Sequence, residues 1–181
     1  MKVNNFKDSK IYQKSLSTRR GFTIIELVMV ITILAIIALA FASESISNLG
    51  NNNLAAASNR LLSDLRYAQQ LAIDSHESCG ISFDRSDESY FVYKGDVSTV
   101  ALDPYTKKPL VVDYDTDSLY AGVNLANTNF GDDISFDYLG VPYDSDGNAL
   151  TSQGQIVLRV NPFRNRVRVR QGTGMTWIEY S

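Results

Sequence analysis

The most apolar part of the chain is residues 22–42, with the sequence FTIIELVMVITILAIIALAFA. As an α-helix rising about 1.5 Å per residue, this run is about 30 Å long, which matches the hydrocarbon core of a bilayer. Its polar residues are Thr23, Glu26 and Thr32, and threonine hydroxyls can bond back to the helix backbone. The pattern predicts a transmembrane helix over residues 22–42.

A second helical pattern covers residues 54–76, where apolar residues recur every three or four positions. This spacing places them on one helix face, which we expect to pack against a sheet of the same chain. The polar stretch 43–53 contains Gly50 and three consecutive asparagines, which are poor helix formers. It is therefore either a weak point in a helix that continues over residues 43–76 or a capping or loop segment. The apolar stripe is Leu54, Ala57, Leu61, Leu65, Ala68 and Ala72, with Arg60, Asp64, Arg66 and Asp74 mostly off it.

Beyond residue 76, short alternating runs rich in β-branched and aromatic residues predict strands. Groups of Asp, Asn, Gly and Pro separate them and are typical of turns. One long helix followed by antiparallel strands predicts the α+β class, with a β-rich head over residues 77–181. The predicted strands are Gly80–Phe83, Tyr90–Tyr93, Leu110–Tyr114, Val123–Ala126, Ile134–Phe136, Gln155–Val160, Arg166–Arg170 and Thr176–Tyr180.

Charge is distributed unevenly along the chain. Residues 1–21 hold six lysines and arginines and one aspartate, a net charge of +5, whereas the whole chain has a net charge of −3. A basic segment before an apolar span favours an N-terminus in the cytoplasm, which predicts a single-pass inner-membrane protein with a periplasmic head. The acidic remainder argues against nucleic acid as the main partner.

Glu26 is the one charged residue of the apolar run. A carboxylate in hydrocarbon costs about 2 to 4 kcal/mol unless it is paired or protonated, so a simple anchor does not explain it. Two other interpretations of the run are an uncleaved signal anchor and a leader-peptidase site at Ala38–Ala40 or Ala40–Ala42 that releases a soluble protein. A charge within the apolar region disfavours both.

The segment RRGFTIIEL, residues 19–27, resembles the type III signal of type IV pilins and type II secretion pseudopilins. In that family a prepilin peptidase cuts after the glycine, the new N-terminal phenylalanine is N-methylated, and the glutamate four residues later governs assembly. The resemblance therefore implies processing and methylation at Gly21 and Phe22, and an assembly role for Glu26. It also implies a leader over residues 1–21, which is longer than many in the family.

The same resemblance suggests a partner for the Glu26 carboxylate. Cutting after Gly21 would free the amino group of Phe22, four positions ahead of Glu26. In a bundle of such helices, Glu26 of one subunit would neutralise the Phe22 amine of another, away from water. A misplaced subunit would leave two buried charges unpaired, so the pair would also set the register. The implied partners are other pilins or pseudopilins, the prepilin peptidase and an inner-membrane assembly platform.

The head is similar to that of the H-type minor pseudopilins, a family shared with FimT- and FimU-like minor pilins (the GspH/FimT family). The resemblance rests on residues 54–79, the strand 81–84, residues 134–136 before Gly140-Val141-Pro142, and the closing Val-Arg-Val strand with Thr173-Gly174. It implies a non-enzymatic minor subunit of a type II secretion pseudopilus. The alternatives are a minor type IV pilin, serving pilus assembly or DNA uptake, and a signal-anchored periplasmic binding protein.

Catalytic and metal chemistry find little support in the residues. His76 and Cys79 are the single histidine and cysteine, so nucleophilic catalysis would depend on that one histidine, and no cofactor motif is present. Asp144, Asp146 and Asn148 alternate like the first ligands of a calcium loop, but Ala149 and Gln155 stand where its glycine and glutamate belong. We therefore expect no enzyme, no cofactor and no metal, with those three residues as weak calcium candidates.

Arg166, Arg168 and Arg170 form the last candidate site. In a strand they share one face, while Val167 and Val169 turn toward the core. They are either an exposed strand face, a contact with an acidic patch on a neighbouring subunit, or a phosphate-binding row for DNA. FimT-like pilins of competence have a Gly-Arg-x-Arg signature near the C-terminus, whereas this chain has GMTW at residues 174–177. Nucleic acid is therefore the less favoured partner.

Overall fold

The computed structural model describes residues 22–180, with side chains given for residues 22–39 and 49–180. The chain divides into two compact units, with the boundary between Phe41 and Ala42. The predicted α+β class is confirmed, because one long helix, α1 (Ile24–Ser75), precedes a β-rich head. The strands of the described part are β1 (Cys79–Asp84), β2 (Ser89–Lys94), β3 (Val111–Asp113), β4 (Asn124–Thr128), β5 (Asp133–Phe136), β6 (Pro142–Tyr143), β7 (Gly154–Val160), β8 (Phe163–Val169) and β9 (Thr176–Tyr180).

The strands form two antiparallel sheets rather than one. The first has the order β3-β2-β1-β5-β6, and the second has the order β4-β7-β8-β9. Each predicted strand overlaps an observed one, but β6 was not predicted, since two residues show no alternation. Arg170, predicted to lie within the strand that is now β8, follows its last residue, Val169.

The apolar stripe of α1 forms part of the head's core. All six predicted stripe residues are 0% exposed, which confirms the helical spacing. The expectation that Asp64 lies off the stripe is wrong, because this residue is 5% exposed. It comes three positions after Leu61, and residues three apart share a helix face. The helical position therefore prevailed over the preference of a charged side chain for water.

The polar stretch around Gly50 does not interrupt the helix. Its backbone is helical throughout, so the interpretation of residues 43–53 as a loop is wrong. A Cβ added at Gly50 would lie 3.0 Å from Cγ1 of Val160, and Nδ2 of Asn53 donates a hydrogen bond to the carbonyl of Ala121 at 3.1 Å. These two residues therefore fit the helix closely against the head, a role that the sequence pattern did not indicate.

A buried polar pair joins the helix to the second sheet. Nδ2 of Asn165, on β8, donates to Oγ of Ser58 at 3.0 Å, and this hydroxyl donates to the carbonyl of Leu54 at 2.6 Å. Ser58 is 0% exposed and Asn165 is 4% exposed. Since buried polar groups are costly unless they are hydrogen-bonded, this pair favours one alignment of α1 on β8.

Candidate assembly surfaces

The N-terminus of α1 is capped by Thr23. The backbone N–H of Glu26 donates to Oγ1 of Thr23 at 3.2 Å, and the N–H of Leu27 donates to the carbonyl of Thr23 at 3.1 Å. Thr23 is thus the N-cap residue, and Glu26 stands at the third helical position. A carboxylate there also lies at the positive end of the helix dipole.

Glu26 stands among apolar side chains that the described residues of the chain leave exposed. Every large apolar residue from Phe22 to Leu39 is exposed, from 42% for Val30 to 84% for Ile24. Over the described residues, the Glu26 carboxylate forms neither an ion pair nor a hydrogen bond. An apolar helix surface with one carboxylate is therefore presented on all sides.

The remaining predictions for this segment fall partly outside the described residues. Gly21 and the leader, residues 1–21, lie outside them, so cleavage and methylation at Gly21 and Phe22 stay predictions. Within residues 22–180, leaving aside the side chains of residues 40–48, no helix has the length and hydropathy of a membrane span. The span predicted over residues 22–42 includes three residues without described side chains, and it stays a prediction.

A second candidate surface is the outer face of the four-stranded sheet. Arg166 and Arg168 alternate along β8 with Val167 and Val169, which are 0% exposed and turned to the core. Pairing with the two neighbouring strands brings further residues to this face. Arg164 lies opposite Arg159 of β7. On the other side, Arg166 lies opposite Glu179 of β9, and Arg168 lies opposite Trp177. We call this surface the arginine face; it comprises Arg159, Arg164, Arg166, Arg168, Arg170, Trp177 and Glu179.

Two groups on β9 hold part of the arginine face in place. Glu179 accepts from Nε of Arg168 at 2.8 Å and from its Nη2 at 2.7 Å, and lies 4.0 Å from Nη1 of Arg166. The guanidinium of Arg170 lies over the Trp177 ring, 5.7 Å from its centroid. Five arginines against one glutamate give this face a net charge of +4. The sequence prediction named three of these arginines, but the contribution of Trp177 and Glu179 depends on strand pairing.

The weak calcium candidates lie in a turn that satisfies its own hydrogen bonds. Oδ1 of Asp144 accepts from the backbone N–H of Asp146 at 3.1 Å and of Asn148 at 2.8 Å. These are ordinary contacts of an Asp-led turn. Across the described residues, no group of three or more His, Cys, Asp or Glu side chains is arranged to hold a metal ion.

That turn belongs to an acidic corner, which we define as Asp132, Asp133, Asp144 and Asp146. The backbone N–H of Ser145 donates to the carbonyl of Phe130 at 3.1 Å, which brings the two turns together. Burial raises the pKa of Asp133, and repulsion from the other three carboxylates raises it further, while a hydrogen bond from Tyr93 opposes the shift. One of the four aspartates has a basic neighbour: Nη2 of Arg85 lies 2.5 Å from Oδ1 of Asp132.

Asp64 is held inside the head by two partners. The hydroxyl of Tyr90 donates to its Oδ2 at 2.7 Å, and Nε of Arg60 contacts the same oxygen at 2.9 Å. Burial nevertheless raises the pKa of Asp64, because desolvation of the carboxylate outweighs these contacts. Tyr90 is also buried, and its own pKa is raised well above the usual value by desolvation. The arrangement joins α1 to β2.

The single histidine and cysteine lie at the end of α1, and among the described residues no hydrogen bond joins their side chains. His76 adopts a φ of 58°, and its N–H donates to the carbonyl of Ala72 at 3.0 Å, which ends the helix by a left-handed cap. The thiol of Cys79 is buried, 3.8 Å from Oγ of Ser75. Both residues therefore have structural positions at the end of α1.

Known proteins resemble this chain in its N-terminal segment and in its fold. The prokaryotic N-terminal methylation motif matches residues 16–42. The structure resembles the type IV minor pilin FimU of Pseudomonas aeruginosa, with a TM-score of 0.50 and 15% identity over 71% of this chain and 90% of that one. It also resembles the type 2 secretion minor pseudopilin EpsH of Vibrio cholerae, with a TM-score of 0.52 and 12% identity over 71% of this chain and 97% of that one.

This chain joins a prepilin-type N-terminus to a pilin-like fold. No curated protein sequence matches it significantly. The motif spans the positions expected for processing and assembly, Gly21, Phe22 and Glu26. The pilin-like head is common to a pilus subunit and a secretion subunit, so the fold by itself does not separate these two functions.

Proposed function

We propose that the chain is a minor pseudopilin, a structural subunit of a type II secretion pseudopilus that takes part in protein secretion across the outer membrane. The observation that carries this proposal is the methylation motif over residues 16–42 followed by a pilin-like head. In this proposal the leader is removed after Gly21 and the helix 22–42 anchors the subunit in the inner membrane. The head is periplasmic, and the helix then enters the filament.

The proposal assigns the uncovered apolar helix to contacts with lipid and then with neighbouring subunits. Apolar surface gains about 25 cal/mol for each Å² removed from water, so a helix exposed on all sides is stabilised by any apolar partner. Glu26 makes that partner specific. Its carboxylate is unpaired among the described residues, and the Phe22 amine of a neighbour would neutralise it in the same layer.

A second explanation for Glu26 is local, because it is the third residue of a helix that Thr23 caps. A local role at the positive end of the dipole would act within one subunit and would be worth about 0.3 to 1 kcal/mol. Loss of a charge pair buried between subunits would cost about 3 to 5 kcal/mol. The two roles therefore predict different magnitudes for the same substitution.

The test is to replace Glu26 by Ala and by Asp, and to follow processing and co-assembly separately. Intact mass of the membrane fraction should give a chain that begins at methylated Phe22 in every variant. Co-purification of other pilin-like subunits should fall by more than about tenfold for Glu26→Ala, less for Glu26→Asp, and not for the control Thr32→Ala. Equal co-purification of wild type and Glu26→Ala would remove the assembly role, and retention of Met1 would favour a signal-anchored protein.

A minor type IV pilin is the second candidate, and the likeness to FimU favours it to a similar degree. The two functions use the same N-terminal helix and differ in their partners. Inactivation of the gene should stop export of folded proteins under the first proposal, and should reduce surface pili or DNA uptake under the second. Neighbouring genes for a secretin and other pseudopilins, or for pilus retraction, make the same distinction.

A further inference from the structure

The head separates its charges between two parts of its sequence. Residues 77–153 contain fourteen acidic and four basic residues, a net charge of −10, whereas residues 154–180 contain five arginines and one glutamate. The acidic part includes all of the five-stranded sheet, and the arginines lie on or beside the outer face of the four-stranded sheet. Among the described residues, no ion pair joins the arginine face to the acidic corner.

Two arginine side chains of the arginine face are already held in place, which lowers the entropy cost of forming an interface. The side chains of Arg166 and Arg168 are 26% and 23% exposed, held by one carboxylate, so little rotamer freedom remains to be lost on contact. Arg and Trp are the residue types that are enriched at interface centres. Arg159 and Arg164 stand exposed beside them, and neither forms an ion pair with a described residue.

We propose that the arginine face of one copy docks on the acidic corner of a second copy. The same chain carries both surfaces, with opposite charge and on different sheets, so charge complementarity favours a second copy as the occupant. Because the two surfaces differ, the contact is heterologous and would join copies head to tail. Its main effects are on orientation and on the rate of encounter, since ion pairs at a surface are individually weak.

The arrangement favours a protein surface over a nucleic acid. Glu179 lies between Arg166 and Arg168 and would repel a phosphate row at its centre. The Trp177 ring, which could stack on a base, is covered by the Arg170 guanidinium. A discrete acidic surface can place its carboxylates around these groups, whereas an evenly charged strand cannot.

The test measures self-association of the full-length chain in detergent micelles by sedimentation velocity, at low and at high ionic strength. The double variant Arg159→Glu with Arg164→Glu should weaken association at low ionic strength by about tenfold or more, since two like-charge contacts replace two attractive ones. Lys107→Glu with Lys108→Glu is the matched control, because it changes the net charge equally on an exposed loop and should leave association unchanged. High ionic strength should remove most of the wild-type association.

A second double variant, changed at the acidic corner, shows whether a loss of association reflects the contact or damage to the fold. Asp132→Lys with Asp146→Lys should also reduce self-association, because both surfaces are then basic. An equimolar mixture with the arginine double variant should restore it, since each acidic corner again finds an arginine face. Restoration supports the contact, and a mixture that stays dissociated overturns it.

Two further results would overturn the proposal. One is wild-type association that is insensitive to salt and to the arginine substitutions. The other is a monomeric wild type that shifts a DNA fragment at low ionic strength, which would assign the arginine face to a polyanion. Since none of these measurements depends on cleavage or on a filament, the proposed function stands or falls separately.

Discussion

Helix α1 contains two segments that make opposite use of apolar residues. From Phe22 to Leu39 every large apolar side chain is exposed, whereas from Leu54 to Ala72 the apolar stripe is fully buried in the head. The second segment is amphipathic, so one face packs on the sheets while the other stays in water. The first is apolar on all sides and finds no cover within the described chain. One segment therefore completes the fold of the head, and the apolar side chains of the other stay exposed among the described residues.

The difference is also seen in the polar groups. The carboxylate of Asp64 in the second segment is held by Arg60 and Tyr90, while the carboxylate of Glu26 in the first makes no described contact. A buried charge must be compensated where it lies. In the head that compensation is present within the chain, whereas the described residues supply none for Glu26.

Matched substitutions in the two segments should differ most in their effect on the stability of the head. Leu61→Ala should lower the free energy of unfolding of the head by about 2 to 5 kcal/mol, because it opens a cavity in the core. Leu34→Ala, the same change in the exposed segment, should alter it by less than about 0.5 kcal/mol. Trp177 is the single tryptophan and lies in the head, so its fluorescence during denaturant unfolding follows this unit alone. Similar losses for both variants would contradict the comparison.

An intermediate effect is expected from the buried polar pair. Ser58→Ala removes the hydroxyl that accepts from Asn165, leaving a buried amide N–H unsatisfied, which should cost about 1 to 3 kcal/mol. Ser63→Ala is the matched control, because this exposed hydroxyl bonds only to the carbonyl of Asn59 on its own helix. The same fluorescence transition measures both, and an equal loss at the two sites would show that the pair does not secure α1 on β8.

The smallest effect concerns pH and Asp64. Its folded-state pKa is raised above the ordinary value of 3.8, so the folded protein holds this proton more tightly than the unfolded chain. The stability that protonated Asp64 contributes is complete below that value and declines as pH rises through the folded-state pKa. The stability of wild type minus that of Asp64→Asn should therefore fall with rising pH, measured from pH-dependent unfolding curves. A difference that grows with pH would mean that the contact with Arg60 outweighs burial.

Much of the fold could be predicted from local patterns. The stripe from Leu54 to Ala72 and the eight strands are visible because side-chain periods of 3.6 and 2 report directly on which residues face a core. The burial of Asp64 departs from the pattern because its position on the helix places a charged side chain against the core. The strand β6 and the packing roles of Gly50 and Asn53 could not be predicted, since they depend on contacts with distant residues, such as Val160 and Ala121.

Local sequence patterns were sufficient to predict the prepilin-type N-terminus, the two segments of the helix and the α+β class, because each of these depends on residues close together in the chain. Three features depend on tertiary contacts: the strands divide into two sheets, Glu179 and Trp177 order the arginines, and aspartates from two turns and from the start of β5 meet at one corner. These features depend on which strands pair and how the turns meet. Strand pairing is set by the packing of the whole head and joins residues that are far apart in the sequence. A local sequence pattern does not indicate which strands pair or in which register.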